Sequence, residues 1–494
     1  MADLRRALLF ASSGRYVVMG INLASATVLA RLLTPSEFGI SVLGASLLSM
    51  AEAIRELGSV AYLVQQKNIT QGKIRTVFTI SLIVTLMMAI GLLKLSGTFA
   101  RFYGVPELAR YINIIALGYA IAPFAHPIYA VLSRDMQFGK LAMLDTLTVL
   151  INAMASVILV LQGFSYIGLA WATVISGATW TLLGLCVKRD FSVYRPSLAE
   201  WRSVLAFGAW GSATAVLYRS SESLFWLILG KILDARAVGL CQRAVLLAQF
   251  PERVILAGVG AVALPAFSDR ARQGRALKEA YLGALEHITA IQWPALILLV
   301  IMADPIVSLL FGSQWLEAIP LVQIFAVTQM LNFPTALNYP IQVAVGAIRH
   351  TAPLALAQTV ISLVVLTFAA RYGMRAVALS TFLTVPFNVG LSVLVVREHI
   401  PFPWREFAGA IMKSVVVAGM SAAGPLIVIA SRGTLGHSVP PIAVAIALAG
   451  LGWLAGLRLT RHPLFHEVRS VVELIVRLLG SSLDGIGRSG GGPR

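Results

Sequence analysis

Hydrophobic residues run through this chain in blocks of about twenty, longer than the apolar stripe of a soluble helix requires. Runs long enough to cross about 30 Å of hydrocarbon lie at roughly 8–30, 38–63, 76–97, 111–132, 142–162, 165–187, 204–230, 238–264, 285–303, 318–346, 350–370, 374–396, 407–430 and 439–458. They predict an all-α integral membrane protein of about 14 transmembrane helices. Pro305, Pro320, Pro334 and Pro340 interrupt the stretch around 300–346, where the boundaries are least marked. Beyond the last run, Val468, Val471, Val472, Ile475 and Leu479 share one helical face, and Glu467, Arg469, Glu473 and Arg477 take the others. That pattern predicts an amphipathic helix, lying on the inner membrane surface or packed beneath the bundle.

The loop after the first run, Ala30-Arg-Leu-Leu-Thr-Pro-Ser-Glu-Phe-Gly-Ile40, recurs as Gly230-Lys-Ile-Leu-Asp-Ala-Arg-Ala-Val-Gly-Leu240, again between two apolar runs. In this frame Arg31 falls on Lys231, Gly39 on Gly239 and Glu52 on Glu252. A membrane protein with repeated halves is expected to form two pseudo-symmetric lobes around a central path. The expected division is an N-lobe over 1–190 with helices 1–6, a C-lobe over 191–397 with helices 7–12, two further helices over 398–459, and a tail over 460–494.

Of the 494 residues, 58% are hydrophobic and only 12% charged, against about 25% charged in a soluble domain. Lys67, Lys73, Arg75, Lys188, Arg189, Arg195, Arg202, Arg270, Arg272, Arg275 and Lys278 fall on one side of the predicted membrane. With the tail and the remaining inner loops that side holds 24 of the 39 Lys and Arg, whereas only eight, Arg31, Arg101, Arg110, Lys231, Arg236, Arg371, Arg375 and Arg432, fall on the other, a threefold bias that predicts both termini in the cytoplasm. The net charge of +17 is thus mostly topological, and its scatter over short loops argues against a nucleic-acid partner. Met1 to Arg6 leads straight into a long span, with no cleavage pattern of a signal peptide.

Little in the sequence points to chemistry on bonds. Cys186 and Cys241 make no disulfide framework, and the spacing of His462 and His466 is broken by Pro463, so no metal site is expected. No Gly-Lys-Ser/Thr loop is present to cradle a nucleotide phosphate, and no cofactor is expected. Asn68-Ile69-Thr70 fits a glycosylation sequon but falls on a predicted cytoplasmic loop.

Charges inside the spans are the informative residues, since an arginine at a helix centre costs roughly 2.5–3.5 kcal/mol on insertion. Arg15 and Arg219 lie four positions apart in the repeat frame, and Arg55 and Arg253 lie two apart. All four are expected to point into one chamber between the lobes and bind substrate, with Glu52, Glu222 and Glu252 as supporting ion-pair partners. The bland alternative is local neutralisation, because Glu52 with Arg55 and Arg219 with Glu222 are i,i+3 pairs. Lys94, Lys413 and Arg243 sit near span ends, where snorkelling is expected. Ser46, Ser49, Gln242 and Gln249 thicken the polarity of the same helices, so a wet cationic chamber would suit an anion with polar surface, such as a phosphate-bearing sugar conjugate.

The chain resembles the polysaccharide transporter family, the O-antigen and exopolysaccharide flippase branch of the multidrug/oligosaccharidyl-lipid/polysaccharide exporter superfamily. The resemblance is carried by Ala30 to Gly39, Glu56-Leu-Gly58, Val64-Gln65-Gln66, Phe102-Tyr-Gly-Val-Pro-Glu107, Leu132-Ser-Arg-Asp-Met-Gln-Phe138, Arg195-Pro196, Leu264-Pro265 and Leu310-Phe-Gly-Ser-Gln-Trp315. It implies a two-lobed transporter of the bacterial cytoplasmic membrane that moves polyprenyl-diphosphate-linked oligosaccharide from the inner to the outer leaflet by alternating access. It also implies lipid-linked oligosaccharide, membrane lipids, and the polysaccharide polymerase and chain-length machinery as partners. The alternatives are a drug or metabolite antiporter of the same superfamily, whose cavity would rely on acidic residues, and a membrane enzyme, which would need a sizeable external loop that this chain lacks.

Overall fold

The computed structural model describes residues 2–55, 62–63, 70–188, 191–273, 277–346, 351–432, 438–470 and 473, and no strand occurs among them. The first helices are α1 (Ala2–Leu32), α2 (Pro35–Arg55), α3 (Gln71–Tyr103), α4 (Glu107–Ile121), α5 (His126–Arg134), α6 (Phe138–Leu159) and α7 (Ser165–Val187). After a connector come α8 (Trp201–Ile232), α9 (Ala235–Arg272), α10 (Leu277–Ile301), α11 (Ala303–Leu310), α12 (Ile319–Leu331) and α13 (Asn338–Ala344). The last four are α14 (Thr351–Ala370), α15 (Met374–His399), α16 (Trp404–Arg432) and α17 (Val439–Leu459).

Seven helices among the described residues are long and apolar enough to cross a membrane, or ten if each of three bent pairs is one span. One of the seven, Phe138–Val187, covers 50 residues and folds back on itself, with α6 and α7 packed against each other. The chain reverses at Gly163 (φ 88°) and Ser165 (φ 53°), so these residues make two passes of about 20 residues each. Helices α1, α2 and α8 are not in this apolar set among the described residues, and α2 and α8 border the polar interior described below. The prolines around 300–346 have a visible effect: Pro320 opens α12, Pro334 falls in the short turn after it, and the pair is bent by 54°. The expected 14 spans are therefore not all separate straight helices.

The recurring loop builds the same joint twice. Thr34 closes a capping box at the start of α2: its backbone N–H and Oγ donate to Glu37 Oε2, both at 2.8 Å, and the Glu37 N–H donates to Thr34 Oγ at 3.3 Å. At the matching position Asp234 caps α9, accepting from the Ala237 N–H at 2.6 Å. The two joints then meet. A Cβ on Gly39 would stand 1.7 Å from the Ala235 carbonyl oxygen, and one on Gly239 would stand 2.0 Å from that of Pro35. Residue 39 meets 235 as 239 meets 35, the reciprocal pairing expected of two related units across a pseudo-twofold axis.

Helices α1 to α7 pack largely among themselves, as do α8 to α17, and α2 lies along both α8 and α9 to make the seam. The largest core cluster fills this seam with Leu43, Leu47, Leu108, Leu229, Val238, Phe311 and Trp315. Trp315 is fully buried and its indole N–H donates to the Ala30 carbonyl at 2.7 Å, fastening the seam beside the α1–α2 turn. Leu464, at the start of the predicted amphipathic segment, packs on Ala290, Val417 and Leu457, so this portion sits against the bundle. Most of that segment's remainder, with the Asn68 sequon, lies outside the described residues.

Candidate functional site

Two adjoining cavities open along the seam, of about 320 and 350 Å³, and share Glu222, Trp226 and Gln242. Helical spacing explains their polarity. Ser41, Ala45 and Ser49 recur every four residues on one face of α2, Glu222 and Trp226 do so on α8, and Gln242, Gln249 and Arg253 share a face of α9. Thr328 and Gln329 of α12 and Thr381 of α15 complete the second cavity. These last residues, with Tyr111 in the first cavity, were not singled out in the sequence. The available signal was a glutamine, and threonines, inside apolar runs.

The four arginines proposed from sequence do not converge. Arg253 alone lines the chamber, where its Nη2 donates to Gln249 Oε1 at 2.8 Å. Arg219 reaches across the seam and donates from Nη1 to Glu52 Oε2 at 3.0 Å. Arg55 approaches the same carboxylate at 4.0 Å and lies 5.9 Å from the ring of Tyr119, whose hydroxyl donates to the Leu48 carbonyl. Glu52 thus joins one cation of its own helix to one from α8, one turn beyond the chamber-lining Ser49. Arg15 is exposed on α1 and makes no ion pair among the described residues; its neighbour Tyr16 donates to the Val254 carbonyl of α9 at 3.4 Å.

The acidic residues divide as well. Glu222 faces the chamber, and Arg219 pairs across the seam with Glu52, 167 positions away. Glu252 accepts a hydrogen bond from Gln329 Nε2 of α12, not one from Arg253. Among the described residues the chamber lining therefore carries one arginine and one glutamate, a mixed field rather than a cationic one.

Two residues expected to snorkel do otherwise. Lys413 Nζ pairs with Glu286 Oε1 at 3.0 Å. Arg243 is only 2% exposed, with its guanidinium 3.8 Å from the Phe38 ring centroid and 5.5 and 5.6 Å from those of Phe311 and Trp315. Both cysteines are free, and no cluster of His, Cys, Asp and Glu among the described residues could hold a metal ion.

Charged helices enclosing a polar chamber within a sheath of apolar spans define a multi-pass membrane protein with a solute-sized interior. The chain belongs to the polysaccharide biosynthesis protein family, whose pattern matches residues 28–320. It is 25% identical over 324 residues to the lipopolysaccharide biosynthesis protein WzxC of Escherichia coli (strain K12), covering 64% of this chain and 65% of that one. It is 27% identical over 335 residues to the succinoglycan biosynthesis transport protein ExoT of Rhizobium meliloti (strain 1021), covering 66% of each. The matches thus span a little under two thirds of those relatives. Among solved structures, the lipid II flippase MurJ in an inward closed conformation superposes with a TM-score of 0.74 over 91% of this chain and 97% of that one, at 13% identity. An inward-facing MATE family multidrug transporter superposes at 0.61 over 77% and 94%, at 18% identity. Both share the fold.

Proposed function

We propose that the chain is a flippase that carries polyprenyl-diphosphate-linked oligosaccharide from the inner to the outer leaflet of the bacterial cytoplasmic membrane. Residues 1–190 and 191–397 act as two lobes that rock about the α2–α8–α9 seam, with 398–459 as two added helices and both termini in the cytoplasm. The chain performs no bond chemistry of its own and delivers its substrate to the polysaccharide polymerase and chain-length machinery. The observation that carries the reading is the polar chamber on the seam, with Arg253 inside it and the Arg55–Glu52–Arg219 cluster one turn away. Serines, glutamines and threonines suit sugar hydroxyls, and arginines suit a diphosphate.

The test is transport of lipid-linked oligosaccharide into the protected leaflet of proteoliposomes. Arg219→Ala is expected to abolish it at unchanged protein abundance. Arg219→Lys should retain part, because lysine keeps the charge but not the bidentate fork. Equal loss of abundance in both variants would show a structural role instead. Glu222 in the chamber favours a second reading, a drug or metabolite antiporter that binds a cation. Under that reading Glu222→Gln, rather than Arg219→Ala, ends transport, and the transported molecule needs no lipid.

A further inference from the structure

A larger cavity lies on the opposite side of the same two helices. It measures about 910 Å³ and is walled by α3, α8 and a strip of α2, with Thr367 from α14. Leu47, Met50 and Ala51 of α2 face it, whereas Ser41, Ala45 and Ser49 face the chamber. On α8, Ser220, Leu224 and Ile228 face it, whereas Glu222 and Trp226 face the chamber. Groove and chamber are therefore back to back, and the Glu52–Arg219 pair joins the helices that separate them.

Three properties of the groove fix its ligand. Its walls are apolar and adaptable, with Met50, Met87 and Met88 among them and Met87 66% exposed. It is long. The lining runs from Met87 to Tyr103 on α3 and from Val216 to Ile232 on α8, each about 24 Å at 1.5 Å per residue. That exceeds the roughly 15 Å of hydrocarbon in one leaflet, so an ordinary acyl chain would leave part of it empty. Its charge is single: among the described residues Lys231 is the one cation in the lining and no carboxylate joins it. The Lys231 ammonium sits at one end, donating to the Phe102 carbonyl and lying 4.2 Å from the Phe102 ring centroid.

We propose that this groove binds the hydrocarbon chain of a long polyisoprenoid phosphate, with Lys231 receiving the phosphate by exchanging its carbonyl partner for the anion. Lys231 lies twelve residues beyond Arg219 on α8, about 18 Å, so it takes the phosphate at a different stage of the cycle from the arginine cluster, while the hydrocarbon stays in the groove. The choice of isoprenoid rests on groove length and on the flippase reading above; the site itself rests on the cavity and its charge.

The full chain in nanodiscs would be irradiated with a polyprenyl monophosphate carrying a diazirine along its chain, and labelled peptides mapped by mass spectrometry. Labels are expected within 87–103 and 216–232, displaced by unlabelled polyprenyl diphosphate. Gly91 lines the groove with nothing within 4 Å of the position of a Cβ, so Gly91→Trp should fill the groove and cut labelling severalfold at an unchanged melting temperature. Lys231→Gln should weaken binding about tenfold, the loss of one charge-assisted hydrogen bond. Should Gly91→Trp not fold, the map on the unsubstituted chain decides alone. Labels elsewhere that polyprenyl diphosphate still displaces would overturn the groove and leave the flippase reading standing. Equal labelling of the groove by a diazirine phosphatidylglycerol would overturn the isoprenoid assignment. Labelling that no polyprenyl diphosphate displaces would overturn both.

Discussion

Gly39 and Gly239 cross with their backbones in contact, each lying against the first residue of the other's helix. The contact leaves no room for a methyl group, because the obstacle at each glycine is a carbonyl of the opposite helix and backbone cannot rotate aside. Gly39→Ala is therefore expected to wedge α2 from α9 at this end. Spin labels at Ser36 and Arg236 should move apart by several Å, and transport should fall at least tenfold, a shift of about 1.4 kcal/mol between conformers. Gly20→Ala is the control, since a Cβ there meets nothing within 4 Å. Unchanged distances with unchanged transport would mean that the two helices close by another contact.

Glu52 competes with any anion for Arg219. Its side chain is 32% exposed and that of Arg219 43% exposed, so water reaches both. Such pairs contribute about 0–1 kcal/mol. Glu52→Gln removes the competing charge and should tighten binding of polyprenyl diphosphate by up to about fivefold, whereas Arg219→Ala should weaken it. Titration of both variants and of the double variant in nanodiscs gives the coupling. Weaker binding in Glu52→Gln would show that the carboxylate positions the arginine instead of opposing the ligand.

What could be read along the chain and what could not follow from the range of each interaction. The repeat was legible because its parts are local: a cap at Thr34 or Asp234, then a glycine five residues on. The polar faces of α2, α8 and α9 were legible for the same reason, through helical spacing. Partner choice was not. Glu52 finds Arg219 across the seam and Glu252 finds Gln329 on α12, and no spacing rule within one helix reaches either. The burial of Arg243 was hidden similarly, since a position near a span end says nothing of the three rings that arrive from other elements.

His462 should make docking of the last described segment sensitive to pH. The imidazole is fully buried beyond the end of α17 and accepts the Leu464 N–H at Nδ1. Glu286, His287 and Lys413 face it: its Nε2 is 3.8 Å from Glu286 Oε1, and the His287 ring centroid is 5.9 Å away. Burial pushes its pKa below the ordinary value, against the pull of Glu286, with His287 and Lys413 adding to the depression. An undocked His462 therefore takes up its proton first as pH falls below about 6.5, and docking weakens from there down to the lowered pKa. Protection from hydrogen exchange over 464–470, taken relative to the intrinsic rate at each pH, should fall as pH drops from about 7.5 to about 5.5, and His462→Gln should remove most of that change. A protection factor independent of pH in the unsubstituted chain would show that another group holds the segment.

Arg243 is a charge that the closed seam holds at a cost. Its Nε and Nη2 lack hydrogen-bond partners, and no carboxylate pairs with it among the described residues. Taking such a cation out of water costs several kcal/mol, and one close ring contact at 3.8 Å returns about 2 kcal/mol. Phe38 comes from α2 and Arg243 from α9, so parting these helices would admit water to the guanidinium and recover hydration energy. The buried charge should thus bias the seam towards opening. Arg243→Met keeps the volume and removes the desolvation cost, so it is expected to raise the melting temperature and to slow transport by holding the seam shut. Arg243→Lys keeps a charge but loses the planar face that stacks on Phe38, and should melt lower. Spin labels at Ser36 and Arg236 report the same effect directly, through a larger short-distance population in Arg243→Met. A lower melting temperature in Arg243→Met, with transport and distances as in the unsubstituted chain, would show that the ring contacts outweigh desolvation and that Arg243 stabilises the closed seam.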